Sequence, residues 1–296
     1  MYYVVITSRL TEADISLANI IGGFMFRANL ANQLVRCLNK APELPGKSRL
    51  LSLTGKSLDG YPVQSAYGVQ LVSNFSDFTN RAAILGLYGS ALTRHLRNLP
   101  AGSVFMDIGA NCGLYSLIAA GSVGPTGRVL SFEPQLELFS QLVENINRNG
   151  FRNITPFNLA LSDQSSGIRL NGSTRHSGAT FISYDLSSEI WAANLASDLK
   201  LASKIVGERE LNIKVDVEGA ELLALKSLGS LLGRSQTRSA IVEIDQKYLA
   251  RFGVAPHEID EHMQQAGFAN QTPQPKTRET NEHYDAFYVK PPLEDG

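Results

Sequence analysis

"VFMDIGANCG", residues 104 to 113, runs from a short apolar segment through an acid into two glycines, Gly109 and Gly113, separated by Ala-Asn-Cys. An apolar strand entering a glycine turn and then a helix reads as a βα unit. Working outward, the rhythm repeats from about residue 100 onward. SVFMDIG is followed by a helical segment, as are GRVLSFEP and, further on, LNIKVDVEG and SAIVEI; NITPFNLALSD and the final HYDAFYVK read as further strands. Strands that are apolar nearly throughout are buried on both faces, and βαβ alternation with right-handed crossovers predicts a doubly wound, mostly parallel α/β sheet. Pro134 and Gly150 suit the start and stop of the helix after the second strand.

In such a sheet ligands bind beyond the carboxyl ends of the strands, where the strand order reverses. The residues at those ends are Asp107 and Gly109, Glu133, Ser162 and Asp163, Asp216 and Glu218, and Glu243 and Asp245. That rim is acidic, and the Gly109–Gly113 loop lacks the three-glycine pattern that seats a pyrophosphate on a helix N-terminus. Carboxylates suit a ligand that carries positive charge and sugar hydroxyls, as S-adenosylmethionine does, and Glu133 stands where it could accept both ribose hydroxyls. Simpler readings stand beside this one. The glycine loop could be a plain βα turn; Glu133, Asp216 and Glu218 could be helix-terminal carboxylates, with Glu221 reaching back as a cap.

The segments VFMDIGANCGLYSLIAA, GRVLSFEP, NITPFNLALSD and, above all, IKVDVEGAELLALKSL followed by AIVEI resemble the FkbM family of S-adenosylmethionine-dependent O-methyltransferases. The resemblance covers roughly residues 100 to 290, and the D-V-E-G-A-E motif is far more specific than the glycine loop. It implies a Rossmann-like, seven-stranded class I methyltransferase sheet with the last strand antiparallel. It also implies S-adenosylmethionine as methyl donor and a hydroxyl acceptor on a sugar, glycolipid or polyketide. Carried over residue by residue, Asp107, Gly109, Ala110, Asn111 and Gly113 form the methionine-side loop. Glu133 with Pro134 takes the ribose, and Leu161, Ser162 and Asp163 flank the adenine. Asp216, Glu218 and Glu221 match the acidic motif as catalytic candidates, Asp216 also as a donor-binding one.

At 296 residues and 43% hydrophobic content the chain can bury a sizeable core. Its 27 basic and 28 acidic residues leave a net charge of -1, which argues against a nucleic-acid partner held by bulk electrostatics. Residues 1–99 read as an N-terminal cap of helix and short strands, and 100–296 as the methyltransferase domain with a polar insert at 164–210 that suits a substrate-side lid. Residues 11 to 40 read as helical, and the apolar run Ile15–Phe26 as a buried helix, too short and polar for an integral membrane segment. RLLSLTG (49–55) and YPVQSAYGVQLV (61–72) look like short strands, and residues 77–99 like one helix. Two separated cysteines, Cys37 and Cys112, fit a reducing compartment, so a cytoplasmic location is expected. The expected partner is a small-molecule or glycan acceptor, and a homo-oligomer is left open.

Methyl transfer to an alcohol is an in-line displacement that needs orientation and a proton acceptor. His176 in the insert is the first candidate base and His283 before the final strand the second. Asp216, Glu243 and Asp245 could hold Mg²⁺, but no metal is expected and transfer should survive chelation. An NAD-dependent oxidoreductase and a non-catalytic binding module are the alternative readings.

Overall fold

The computed structural model describes residues 12–40, 46–88, 90–173, 176–184, 190–193, 204–272 and 282–291; within these, residues 12–21, 54, 90, 166–173, 176–184, 190 and 191 are described for backbone only. The N-terminal part holds α1 (Glu12–Lys40), α2 (Lys47–Thr54), the antiparallel hairpin β1 (Pro62–Gln64) and β2 (Gln70–Val72), α3 (Phe78–Leu85) and α4 (Ser90–Arg97). Next come β3 (Val104–Ile108), α5 (Leu114–Val123), β4 (Arg128–Phe132), α6 (Leu136–Asn149) and β5 (Ile154–Phe157). The insert region carries β6 (Ala160–Leu161), β7 (Ser166–Ser173), β8 (His176–Tyr184) and β9 (Ile190–Ala193). The chain returns through β10 (Leu211–Val215), α7 (Glu221–Ser227), β11 (Thr237–Asp245), α8 (Pro256–Gln265), β12 (Ala269–Asn270) and β13 (His283–Val289).

Seven strands make the main sheet, in the order β12-β13-β11-β10-β3-β4-β5. β3, β4, β5, β10 and β11 are parallel, and β13 runs antiparallel to β11. The chain builds outward from β3 to β5, then crosses back to lay β10 on the other side of β3. The strand order therefore reverses between β3 and β10, which opens a crevice at their carboxyl ends. β3 alternates its side chains between two cores. Phe105 packs with Leu117, Val129 and Leu142 under the N-terminal elements, whose Val35, Leu51, Phe75 and Leu96 join the same cluster. Met106 and Ile108 pack with Ile213, Val215, Leu225 and Met263 on the opposite face. A second sheet, ordered β6-β9-β7-β8, is built by the insert and the two strand residues just before it.

The hairpin is held at both edges by asparagines. Asn32 of α1 accepts from Gln64 N–H at 2.9 Å and donates to the Pro62 carbonyl at 2.7 Å. On the far side Asn149 of α6 exchanges the same pair of bonds with Gln70, and Asn145 accepts from Val72 N–H at 2.8 Å. These side chains satisfy edge groups that would otherwise be unpaired.

Three local expectations are corrected. Residues 47–54 are helical rather than a strand, in keeping with a leucine-rich run whose one β-branched residue, Thr54, comes last. Residues 77–99 form two helices, because Gly86 closes α3 in the left-handed conformation (φ 69°), with Ala66 too near to leave room for a side chain. In α1 the apolar stretch is not buried where its side chains are described: Met25 and Phe26 are 60% and 69% exposed, while Ala31 and Val35 anchor the helix. Among the described residues no helix is long and apolar enough to cross a membrane.

Candidate active site

The crevice between β3 and β10 contains a cavity of about 450 Å³, within the range of small-molecule sites. Its shape depends on Gly109. There φ is 81°, and a Cβ would lie 1.8 Å from the Asp216 carbonyl oxygen, so only glycine lets the ends of β3 and β10 come together. The loop after it is pinned by backbone and side chain. Gly109 and Ala110 donate to the Phe132 carbonyl at 3.0 and 2.9 Å, and Asn111, itself left-handed (φ 51°), donates to Glu133 Oε2 at 2.8 Å. Asn145 Nδ2 donates to the Cys112 carbonyl at 2.8 Å, linking this loop to the hairpin.

Glu133 directly follows β4, is 3% exposed and lines the cavity. Its Oε1 accepts from Gln135 N–H at 2.9 Å. Burial pushes its carboxyl up to about 7, against the pull of the two backbone donors. Asn158 fixes the following turn by donating to the carbonyls of Glu133 and Pro134. Pro134 and Leu161 also line the cavity, whereas Gly113, Ser162 and Asp163 stand outside it. Asp107 lies beneath the floor, fully buried, and accepts from Ser116 Oγ at 2.6 Å.

The acids of the D-V-E-G-A-E motif divide. Asp216 and Glu218 line the cavity, and Glu221 does not. Glu221 Oε1 accepts from the N–H groups of Val217 (3.1 Å) and Gly219 (3.0 Å), so it holds the turn after β10 as the capping reading anticipated. Glu218 has φ 57° and is pushed up to about 10, first by burial and then by Asp216 and Glu243; among the described residues its Oε2 is buried without a hydrogen-bond partner. A non-glycine residue held in this region marks strain retained at a site.

β13 brings His283 to the same edge, since Asp245 pairs with His283 in register. His283 Nε2 lies 3.0 Å from Glu243 Oε1, and Nδ1 lies 3.5 Å from Asp245 Oδ2. The carboxylate contact holds the imidazole above its ordinary range, while burial and Asp216 push Glu243 upward. His176 opens β8 and Trp191 lies within β9, but their side chains fall outside the described part of the structure. Oxygens of Asp216, Glu218 and Glu243 come within 4.8 Å of one another and could hold a cation. This trio takes Glu218 in place of Asp245, the third acid of the alternative read from the sequence, whose Oδ1 caps the turn at Lys247 and Tyr248.

Sequence reasoning missed two parts of the cavity. Lys214, in the middle of the buried strand β10, reaches the floor with Nζ 3.0 Å from Asp216 Oδ2. Its one visible signal was a charge inside an apolar run. The second part is an apolar wall formed by Phe78, Leu87 and Tyr88 from the N-terminal elements together with Tyr115 of α5. Tyr88 and Tyr115 have ring centroids 6.0 Å apart. Nothing local in the sequence tied residues 78–88 to the glycine loop.

Comparison with known proteins gives a match of residues 107–269 to the model of the methyltransferase FkbM domain. Among curated proteins, the AMB antimetabolite synthetase AmbE of Pseudomonas aeruginosa is 25% identical over 231 residues, which is 65% of this chain and 11% of that protein. The chain thus spans a small part of that relative's length. Solved structures of similar shape include a SAM-dependent methyltransferase from Aquifex aeolicus (15% identity, 68% of this chain and 87% of that one, TM-score 0.37). They also include precorrin-6y C5,15-methyltransferase from Geobacter metallireducens (15%, 68% and 87%, 0.41). A third is Aeropyrum pernix fibrillarin with natively bound S-adenosyl-L-methionine (12%, 68% and 74%, 0.41).

Proposed function

The chain belongs to the FkbM family of methyltransferases, its methyl donor is S-adenosylmethionine, and we propose that it transfers the methyl group to a hydroxyl of an acceptor bound between the acidic edge and the apolar wall. The observation that carries this reading is a single cavity lined by Glu133 at one strand end and by Asp216, Glu218 and Glu243 at two others, with the glycine loop between them. Glu133 retains acceptor capacity beyond its two backbone bonds, which suits a ribose diol. Loop residues Gly109 to Asn111 present backbone without bulky side chains to the methionine portion, and Leu161 offers an apolar surface to the adenine.

S-adenosylmethionine supplies, when bound, an activated methyl group on a sulfonium. The remaining work falls to the protein. The apolar wall orients the acceptor and excludes water, and orientation accounts for most of the acceleration such a displacement requires. The Glu243–His283 pair takes the acceptor's proton as a coupled unit, and Glu218, held protonated near neutrality, can donate a hydrogen bond to the acceptor. His283 is preferred over His176 because its ring touches residues of the cavity. The insert at 164–210 serves as the acceptor-side lid, and residues 1–99 as the cap that contributes the wall.

The test is radiolabelled methyl transfer from S-adenosylmethionine into a panel of sugars, glycolipids and hydroxylated polyketides. Label recovered as an alkali-stable methyl ether supports the reading. Label only on nitrogen or carbon overturns the O-methylation, and donor binding without transfer to any acceptor supports a binding module instead.

A further inference from the structure

Lys214 is the feature of the cavity floor that the proposed chemistry does not yet use. Every residue of β10 is buried, and Lys214 is 3% exposed. An ammonium taken out of water is strongly disfavoured unless opposite charges surround it. Here the partners come from four places in the chain. Nζ lies 3.0 Å from Asp216 Oδ2, 3.6 Å from Asp107 Oδ1 and 3.5 Å from the Gly109 carbonyl oxygen, and it sits 5.2 Å from the centroid of the Tyr115 ring.

If Lys214 served only to neutralise the buried Asp107, its nearest partner would be Asp107. That acid accepts from Ser116 through Oδ2, its Oδ1 faces the ammonium only at 3.6 Å, and it does not line the cavity. The lysine instead reaches past it to Asp216, whose side chain is 30% exposed and faces the cavity. Without that 3.0 Å contact, nothing on β10 itself would fix the Asp216 carboxylate beside the Glu218 and Glu243 carboxyls. The same ammonium contacts the carbonyl of Gly109, next to which Asp216 is seated: the Asp216 N–H donates to the Ile108 carbonyl at 3.0 Å.

We propose that Lys214 is a positioning residue for the amino-acid end of the methyl donor: it holds the Asp216 carboxylate and the Gly109 carbonyl as a fixed acceptor pair for the donor's α-ammonium. Glu133, on the opposite side of the glycine loop, serves the nucleoside end independently. This inference rests on the donor-binding reading above, and it separates the two ends of one ligand.

The test uses two ligands, S-adenosylhomocysteine and 5′-methylthioadenosine, the second lacking the amino-acid end. Both are titrated calorimetrically into the wild-type protein, Lys214→Met and the double variant Lys214→Met/Asp107→Asn. The double variant removes the acid that the single variant would strand in the core, so it remains informative if Lys214→Met fails to fold. The expected result is a loss of tenfold or more in S-adenosylhomocysteine affinity in both variants, with methylthioadenosine affinity within threefold of wild type. Wild-type S-adenosylhomocysteine affinity in the double variant would mean that Lys214 only balances Asp107 and would overturn the proposal, as would an equal loss for both ligands. A wild-type protein that binds neither ligand would instead remove the donor-binding reading itself.

Discussion

The Glu133 carboxylate accepts the backbone N–H of Asn111 at 2.8 Å, so the end of β4 and the glycine loop after β3 form one unit. A carboxylate that holds the loop and also faces the cavity couples loop shape to ligand binding.

Replacing Glu133 by alanine should therefore weaken donor binding. Loss of hydrogen bonds to a charged group corresponds to about 1.5 to 3 kcal/mol, or roughly tenfold to a hundredfold in affinity. Calorimetry with S-adenosylhomocysteine measures this directly. Unchanged affinity in a folded Glu133→Ala protein would remove Glu133 from the ribose site.

For the coupled pair, the contact with Glu243 at 3.0 Å keeps His283 protonated to higher pH than a free imidazole. The proton-accepting form then accumulates only as pH rises, so turnover should climb with a midpoint above the ordinary histidine range. His283→Ala should abolish that limb and lower the rate by about 10²-fold or more. Retention of both rate and limb by His283→Ala, with their loss in His176→Ala, would transfer the role to the insert.

Stability should respond to pH with a definite sign. Glu133, Glu218 and Glu221 are all raised, to about 7, 10 and 7, chiefly by burial. A folded-state pKa above the unfolded value means that the folded chain binds more protons, so the associated stability is present below about 4.5 and is lost as pH rises through these values. The ligand-free protein should melt at a lower temperature at pH 9 than at pH 6, and Glu218→Gln should flatten the difference. A melting temperature that increases over this interval would show that these acids are ionised in the folded state.

Chelation should leave turnover intact. His283 already places positive charge beside Glu243, and Glu218 carries a proton near neutrality, so the trio lacks the full anionic charge that attracts Mg²⁺. Activity lost in EDTA and restored by Mg²⁺ or Mn²⁺, with donor binding unaffected, would contradict this.

Much of the sheet was legible in the sequence because its central strands are short apolar runs ending in acids and alternate with helices, and the family resemblance supplied the antiparallel last strand. β12 was not legible: Ala269 and Asn270 are exposed and pair only with β13, so no apolar pattern marks them. RLLSLTG was misread because a short leucine run has no period that separates helix from strand. In the site, Glu133 and Asp216 could be read from their places at strand ends. Lys214 could not, since its meaning depends on β10 pairing Lys214 opposite Asp107, and the wall from Phe78 to Tyr88 depends on how α3 and the segment after it pack over the glycine loop.

In the proposed site this cavity holds S-adenosylmethionine, with Glu133 on its ribose. The most direct measurement is thermal unfolding with saturating S-adenosylhomocysteine or NAD, on wild-type protein and Glu133→Ala. At a hundred times its dissociation constant a ligand stabilises the folded state by about 2.7 kcal/mol. The expected result is a saturable upward shift with S-adenosylhomocysteine, a shift strongly reduced in Glu133→Ala at the same concentration, and none with NAD. Stabilisation by NAD, or an undiminished S-adenosylhomocysteine shift in the variant across a full titration, would contradict it.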